Sequence, residues 1–370
     1  LRPMGLKYGS ILFVQGPSRR GFKDYRHKIA IFAEEDIYPG SASSNPDWLN
    51  VMNGVLYFMA GDGILGRELW RSDGSSEGTR LVKDLNPSGD GAFDYYFAEM
   101  NGKLYFCARD AAGVGLFATD GTEAGTDKIM EGACSFLTSA GDRLFFSCNG
   151  ELYWSDGTAA GSGLLMDINP SGSSYPRFFT PVGGLVFFRA EDAYGCELWK
   201  VDPLTGQAEM VKNIAPGSGS SYPENLVDIQ GTLYFGAKTS TYGTYRLWKS
   251  DGTSAGTVAV SAAGDCHSPS GITWFQDRIY FIAGHLVYGY ELFCYDEVGG
   301  TLEVLSDVMP DNPQTPYGID PYLLTRSNDK LFFRVSHTFT TEKTLYSSDG
   351  TQEGTKAIGT FWQSVNGPSY

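Results

Sequence analysis

The chain has 370 residues, 47 of them Gly, with 14% aromatic but only 19% charged residues, a balance that favours many short strands joined by tight turns over two or three mixed domains. Lys and Arg number 28 against 43 Asp and Glu, a net charge of −15, which repels phosphate backbones and anionic lipid heads and argues against nucleic-acid binding and membrane adsorption. No apolar run is long enough to span a bilayer, and Leu1–Leu6 lack the charged-then-apolar layout of a signal peptide.

In chain order, the first predicted elements are two apolar strands, Ser10–Val14 and Ile29–Ala33, with Phe22–Arg26 a poor third between them. The second strand leads into Asp36-Ile37-Tyr38-Pro39-Gly40-Ser41. From about residue 45 to about residue 360 a longer unit then recurs seven times. Its clearest mark is an aliphatic-aromatic-Phe tripeptide, at Leu56, Leu104, Leu144, Val186, Leu233, Ile279 and Leu331, with spacings of 48, 40, 42, 47, 46 and 52 residues. Strand a precedes the tripeptide and ends at an Asn-Gly or Gly-Asp type turn, as Trp48–Met52 does at Asn53-Gly54. Strand b is the tripeptide segment, and the two-residue connection is a strong hairpin signal. Strand c carries Glu68-Leu69-Trp70 or its weaker copies. Asp73-Gly74-Ser75 and its equivalents then turn the chain toward Gly78-Thr79 and strand d, with Asp accepting backbone bonds and Gly supplying positive φ.

No segment sustains a 3.6-residue apolar period, so helix should be nearly absent. Four-stranded units of this length are the signature of an all-β, β-propeller fold of antiparallel blades. At the C-terminus, Phe361–Gly367 reads as a strand a with its turn, the piece that residues 7–38 lack. A composite closing blade built from 7–38 and 361–367, added to seven full blades, gives an eight-bladed ring in one domain spanning 1–370. A seven-bladed ring is the alternative. The column Leu49, Phe97, Leu137, Phe179, Leu226, Ile272, Leu324 and Trp362 supports eight, because each is large and apolar. The neighbouring column, Asn50, Ala98, Thr138, Thr180, Val227, Thr273, Thr325 and Gln363, is mostly small or polar.

The Glu-Leu-Trp-x-x-Asp-Gly-Thr segments, with Lys83-Asp84-Leu85-Asn86-Pro87-Ser88 after them, resemble the ELWxxDGT repeat family, described as hyalin-like. The resemblance covers nearly the whole chain. It implies a propeller of an exported or cell-surface protein and transfers no catalytic residue. Two units depart from it: Asp202-Pro203-Leu204-Thr205-Gly206 and Asp296-Glu297-Val298-Gly299-Gly300 replace Asp-Gly-Thr.

Strand polarity places the a–b and c–d turns on one face and the longer, more variable d–a and b–c loops on the other, the expected recognition face. That face carries Asp90, Asp94, Tyr175, Tyr222, His267, Tyr317 and Asp320, and its tyrosines could stack on sugar rings or hold a peptide. A structural reading stands beside this, in which Ser174-Tyr175-Pro176 and Ser221-Tyr222-Pro223 only anchor the lead-in to strand a. Gly61-Asp62-Gly63 with Glu68, and Glu191-Asp192 with Glu197, could offer oxygen ligands to Ca²⁺; they lack EF-hand spacing, and solvated hairpin tips are the alternative. No cofactor is otherwise expected.

The four His are scattered and no Gly-x-Ser-x-Gly or His-Glu-x-x-His motif is present. Cys134 and Cys148 lie seven residues either side of Gly141, which places them opposite each other and predicts a disulfide. The pairing of Cys107, Cys196, Cys266 and Cys294 stays open. The expected function is a non-catalytic extracellular or lumenal binding and assembly module, with protein subunits or a surface glycan as partner. A lectin and a propeller hydrolase or lyase are the alternatives.

Overall fold

The computed structural model of the chain describes residues 36–39, 42–306, 324–336 and 342–362. They form seven four-stranded antiparallel sheets, each of which runs a-b-c-d between neighbours in sequence. The sheets occupy 47–83, 92–131, 134–166, 177–212, 224–259, 266–306 and 325–362. A single 3-10 turn, Ser261–Ala263, is the only helical element among the described residues. Sheets 1–3 belong to one compact unit, residues 1–167, and sheets 4–7 to a second, residues 168–370.

The a–b turns follow from their residues. Asn53-Gly54 has φ of 51° and 78°, and Asn101-Gly102 has 51° and 73°, the two left-handed positions a type I′ hairpin needs. Strand a itself carries a recurring bulge, marked by a register shift against strand b in sheets 1, 3, 4, 5 and 6. Its left-handed residue is Trp48, Phe136, Phe178, Asn225 or Gly271. At Gly271 the reason for glycine is visible: a Cβ there would stand 2.8 Å from that of Leu324.

Within each unit the apolar core lies between successive sheets, because alternate strand residues face opposite ways. Tyr57 and Met59 of sheet 1 pack against Leu104, Phe106 and Ala108 of sheet 2. The other face of sheet 2, Tyr105 and Cys107, meets Leu144, Phe146 and Cys148 of sheet 3. Sheets 4 to 7 repeat the arrangement. Of the column read from strand a, Leu137, Phe179, Ile272 and Leu324 are buried, and Phe97 and Leu226 pack against the core.

The motif residues are consumed by two local devices. In the c–d turn, Asp251 Oδ1 accepts the backbone N–H and hydroxyl of Thr253 at 2.8 and 2.7 Å, Thr253 Oγ1 accepts Gly256 N–H, and Ser250 and Thr257 share a hydroxyl bond. The same set recurs around Asp73, Asp120, Asp156 and Asp349, and those bonds hold each Asp carboxyl below its usual pKa. The second device ties neighbours together. Arg71 donates to the Gly121 carbonyl and Lys83 to that of Thr126, both in sheet 2. Lys200 and Lys212 repeat this from sheet 4 to Gly252 and Thr257 of sheet 5.

One feature differs from the sequence reading. Phe361 and Trp362 do not open a strand a: they end strand d of sheet 7, Lys356–Trp362, paired with Lys343 and Glu342. The rest of the composite blade, 7–35 and 363–367, lies outside the described residues.

Candidate functional site

The d–a loops are stitched to the sheets on either side of them. Gly91 N–H donates to Arg67 of sheet 1, and the Gly91 carbonyl accepts from Arg109 of sheet 2. Ser221 and Tyr222 donate to the Cys196 carbonyl of sheet 4, and the Ser221 carbonyl accepts from Lys238 of sheet 5. A buried glutamate of strand c completes each seam. Glu197, fully buried, accepts Ile214 N–H, Ala215 N–H and the Ser221 hydroxyl. Glu68, also fully buried, accepts Leu85 N–H, and burial raises its pKa to about 7. Neither glutamate is a solvated hairpin tip. In sheet 5 the equivalent position holds Arg246, which donates to the Cys266 carbonyl instead.

On this edge of the second unit the loops present aromatic and basic side chains. Tyr175 is 55% exposed and Tyr222 half-buried, both left-handed at φ 46° and 47° before a proline. Their flanking serines anchor the loops, since the Ser174 carbonyl accepts from Glu191 as that of Ser221 does from Lys238. The anchor and the displayed ring therefore sit side by side in Ser174-Tyr175-Pro176. Lys238 Nζ stands 5.6 Å from the Tyr222 ring centre and 4.5 Å from that of Tyr245. Phe178, 40% exposed at the strand-a bulge, lies under the Arg189 guanidinium at 4.8 Å. The b–c tips add Tyr194 and the 99%-exposed Tyr242.

His267 falls in strand a of sheet 6, edge-on to Tyr290, and burial lowers its pKa, with Arg246 and His285 adding to this. Asp94 lies within strand a of sheet 2, not in the loop before it. Tyr317 and Asp320 are outside the described residues. Among the described residues no group of three His, Cys, Asp or Glu is placed to hold a metal ion. Asp62 and Asp192, read as loop ligands, each cap their own turn by accepting Ile64 and Tyr194 N–H. Sequence reasoning missed Arg177, Phe178, Arg189, Tyr194, Lys238 and Tyr242. The available signal was the position after the strand-b tripeptide, which holds Met59, Cys107, Ser147, Gly236 and Ile282 elsewhere but Arg at 189 and 334.

Cys134 and Cys148 are directly opposite on strands a and b of sheet 3 and both are buried. The expected disulfide is compatible with this placement, and the structure is that of the reduced form. The Cys134 thiol and burial push the Cys148 thiol up, so little thiolate is present at neutral pH and closure should be slow. Refolding in a glutathione redox buffer is expected to join the two sulfurs, with two protons released and two electrons passed to oxidised glutathione. The intact mass should fall by two hydrogens, and closing a loop of about 15 residues should add about 3 kcal/mol of stability. Refolded protein that still titrates both thiols, with Cys134→Ser as the reference, would remove the disulfide.

No family model and no curated relative matches the chain. Among solved structures it is similar to oligopeptidase B from Leishmania major, at TM-score 0.52 and 10% identity, over 86% of this chain and 48% of that one. It also matches a puromycin hydrolase mutant complexed with PGG, at TM-score 0.41 and 14% identity, over 80% of this chain and 58% of that one. The chain spans about half the length of these structures. The likeness to the oligopeptidase is one of fold alone, and repeated four-stranded antiparallel sheets are consistent with a β-propeller.

Proposed function

We propose that the chain is a non-catalytic binding and assembly module of the ELWxxDGT type, exported or lumenal, which docks a protein partner on its d–a and b–c loop edge. The observation that carries this is the group of exposed aromatics Tyr175, Phe178, Tyr194 and Tyr242 on that edge of the second unit, set among arginines on loops that the sheets hold rigid. Tyr, Phe and Arg are the residues that concentrate in protein–protein interfaces. The motif carboxylates, by contrast, are spent on turns and seams. The eight-bladed ring is part of the same proposal; strand-like segments 10–14 and 29–33 support it.

The test is co-purification from the native source. A defined partner should be retained by the wild-type chain and lost, by about a hundredfold in affinity, from the Tyr175→Ala/Tyr194→Ala/Tyr242→Ala variant. A strictly monomeric profile in gentle lysates sinks the proposal. A surface glycan is the second reading, favoured by the exposed Tyr175 ring; binding to a glycan array that the same variant abolishes would select it. The likeness to oligopeptidase B takes a hydrolase reading no further than the fold.

A further inference from the structure

Strands a and b of sheet 4 place Arg177 and Arg189 directly opposite each other. Like charges in that position destabilise a sheet, and five of the other sheets fill the Arg189 position with Met59, Cys107, Ser147, Gly236 or Ile282, sheet 7 alone repeating an arginine, Arg334. The Arg189 guanidinium is positioned from two sides. The Phe178 ring supports its face, and Nη1 donates to the Pro223 carbonyl at 3.5 Å. Arg177 Nε donates to the Tyr175 carbonyl at 3.4 Å. A guanidinium has five N–H donors in a fixed fork, so these contacts orient Arg189 while using one of them. The left-handed bulge is shared with other sheets; at sheet 4 its aromatic side chain carries an arginine that faces a second arginine.

The surrounding charges are Lys238, Glu224, Glu191 and Glu197. Glu224 takes a hydrogen bond from Tyr245 and feels Arg189 and Lys238, and burial nevertheless raises its pKa. Arg177 and Arg189 both act on the Cys196 thiol, whose pKa burial raises to about 12. With Glu197, which acts on the same thiol, three cations stand among three carboxylates, a balanced patch in a chain whose net charge is −15.

We propose that Arg177 and Arg189, with Lys238 beside them and Tyr175 and Phe178 as the apolar rim, form a receptor for the carboxylates of an acidic segment of a partner protein; this rests on the reading of the chain as a protein-docking module. The planar fork of Arg189 matches a carboxylate in a bidentate way. An incoming carboxylate also relieves the repulsion within the pair. The overall negative charge then works as a filter, since only an acidic segment that reaches this site is held.

A fluorescein-labelled oligo-glutamate peptide, titrated into the full chain by anisotropy, tests this. It should bind the wild type, lose affinity as salt rises, and bind Arg177→Ala or Arg189→Ala about tenfold or more weakly. Arg189→Lys keeps the charge but not the fork and should recover only part of the loss. Near-ultraviolet circular dichroism identifies any variant that fails to fold, and Arg177→Ala, which keeps the Arg189 bond to the Pro223 carbonyl, serves if Arg189→Ala does. Equal binding by all variants overturns the proposal, as does selective binding of dextran sulfate. Failure of oligo-glutamate on a wild-type chain that still retains its native partner through Tyr175 removes the carboxylate receptor alone. Loss of both removes the docking module as well.

Discussion

Replacing Gly121 by alanine should lower stability by about 2–5 kcal/mol, although the glycine sits in a turn between strands. Two effects add. Gly121 has φ +90°, a region that strains an L side chain by about 1–2 kcal/mol. The new methyl would also overlap the hydroxyl of Tyr57, which belongs to sheet 1 and is almost fully buried; overfilling a packed core adds about 1–3 kcal/mol. The Asp-Gly turn of one sheet is therefore a socket for the tyrosine of the sheet before it. Gly157 meets Tyr105 and Gly350 meets Tyr280 in the same way. Tyr57→Phe removes the oxygen and should recover about 1 kcal/mol or more in the Gly121→Ala background while mildly destabilising the wild type. Urea unfolding of the four proteins measures this. Additive losses would show that the two residues do not meet.

This pairing explains why the repeat was so legible and where legibility stopped. Asn53-Gly54 and Asp251-Gly252-Thr253 encode their turns within a few residues, and the alternation through Leu56-Tyr57-Phe58 encodes which face each side chain takes. Such local signals survive in one sequence. The contacts between sheets do not: Tyr57 and Gly121 are 64 positions apart, and neither implies the other until the sheets are stacked.

The end of sheet 7 was misread for a related reason. Strand d is four or five residues long in sheets 1 to 4 but runs for seven in sheet 7. The apolar Phe361-Trp362 looks like a new strand unless its partners Lys343 and Glu342 are known. The Arg177–Arg189 pair was hidden by the bulge at Phe178, which shifts the register between Arg177 and Thr180. Glu68 and Glu197 were hidden by charge itself. A glutamate beside an Asp-rich hairpin reads as solvated, and only the N–H groups of the following loop reveal it as buried.

Those glutamates carry the other large effect. Glu197→Ala removes the acceptor for two backbone N–H groups and the Ser221 hydroxyl; buried donors without an acceptor cost about 1–3 kcal/mol each, partly offset by the loss of a desolvated carboxylate. The expected net loss is about 3 kcal/mol. Faster amide exchange should be confined to the loop from Ile214 to Tyr222, whose seam to Cys196 is opened. Glu197→Gln keeps an acceptor and should cost about 1 kcal/mol.

The pH dependence has an unusual sign for a carboxylate. Glu68 titrates at about 7 when folded against 4.5 for its ordinary value, so the folded state keeps its proton after the unfolded state has released it. Its contribution is complete below about pH 4.5 and is lost as pH rises through 7. The full swing is on the order of 3 kcal/mol. Burial raises the Glu197 pKa as well, which adds to the same slope. Glu68→Gln has no proton to lose there. Its urea midpoint should therefore change less than that of the wild type between pH 4.5 and 7.5, and the two should diverge in favour of the variant as pH rises. Parallel profiles would mean that Glu68 is ionised and well solvated in the fold, and the buried seam between sheets 1 and 2 would have to be redrawn.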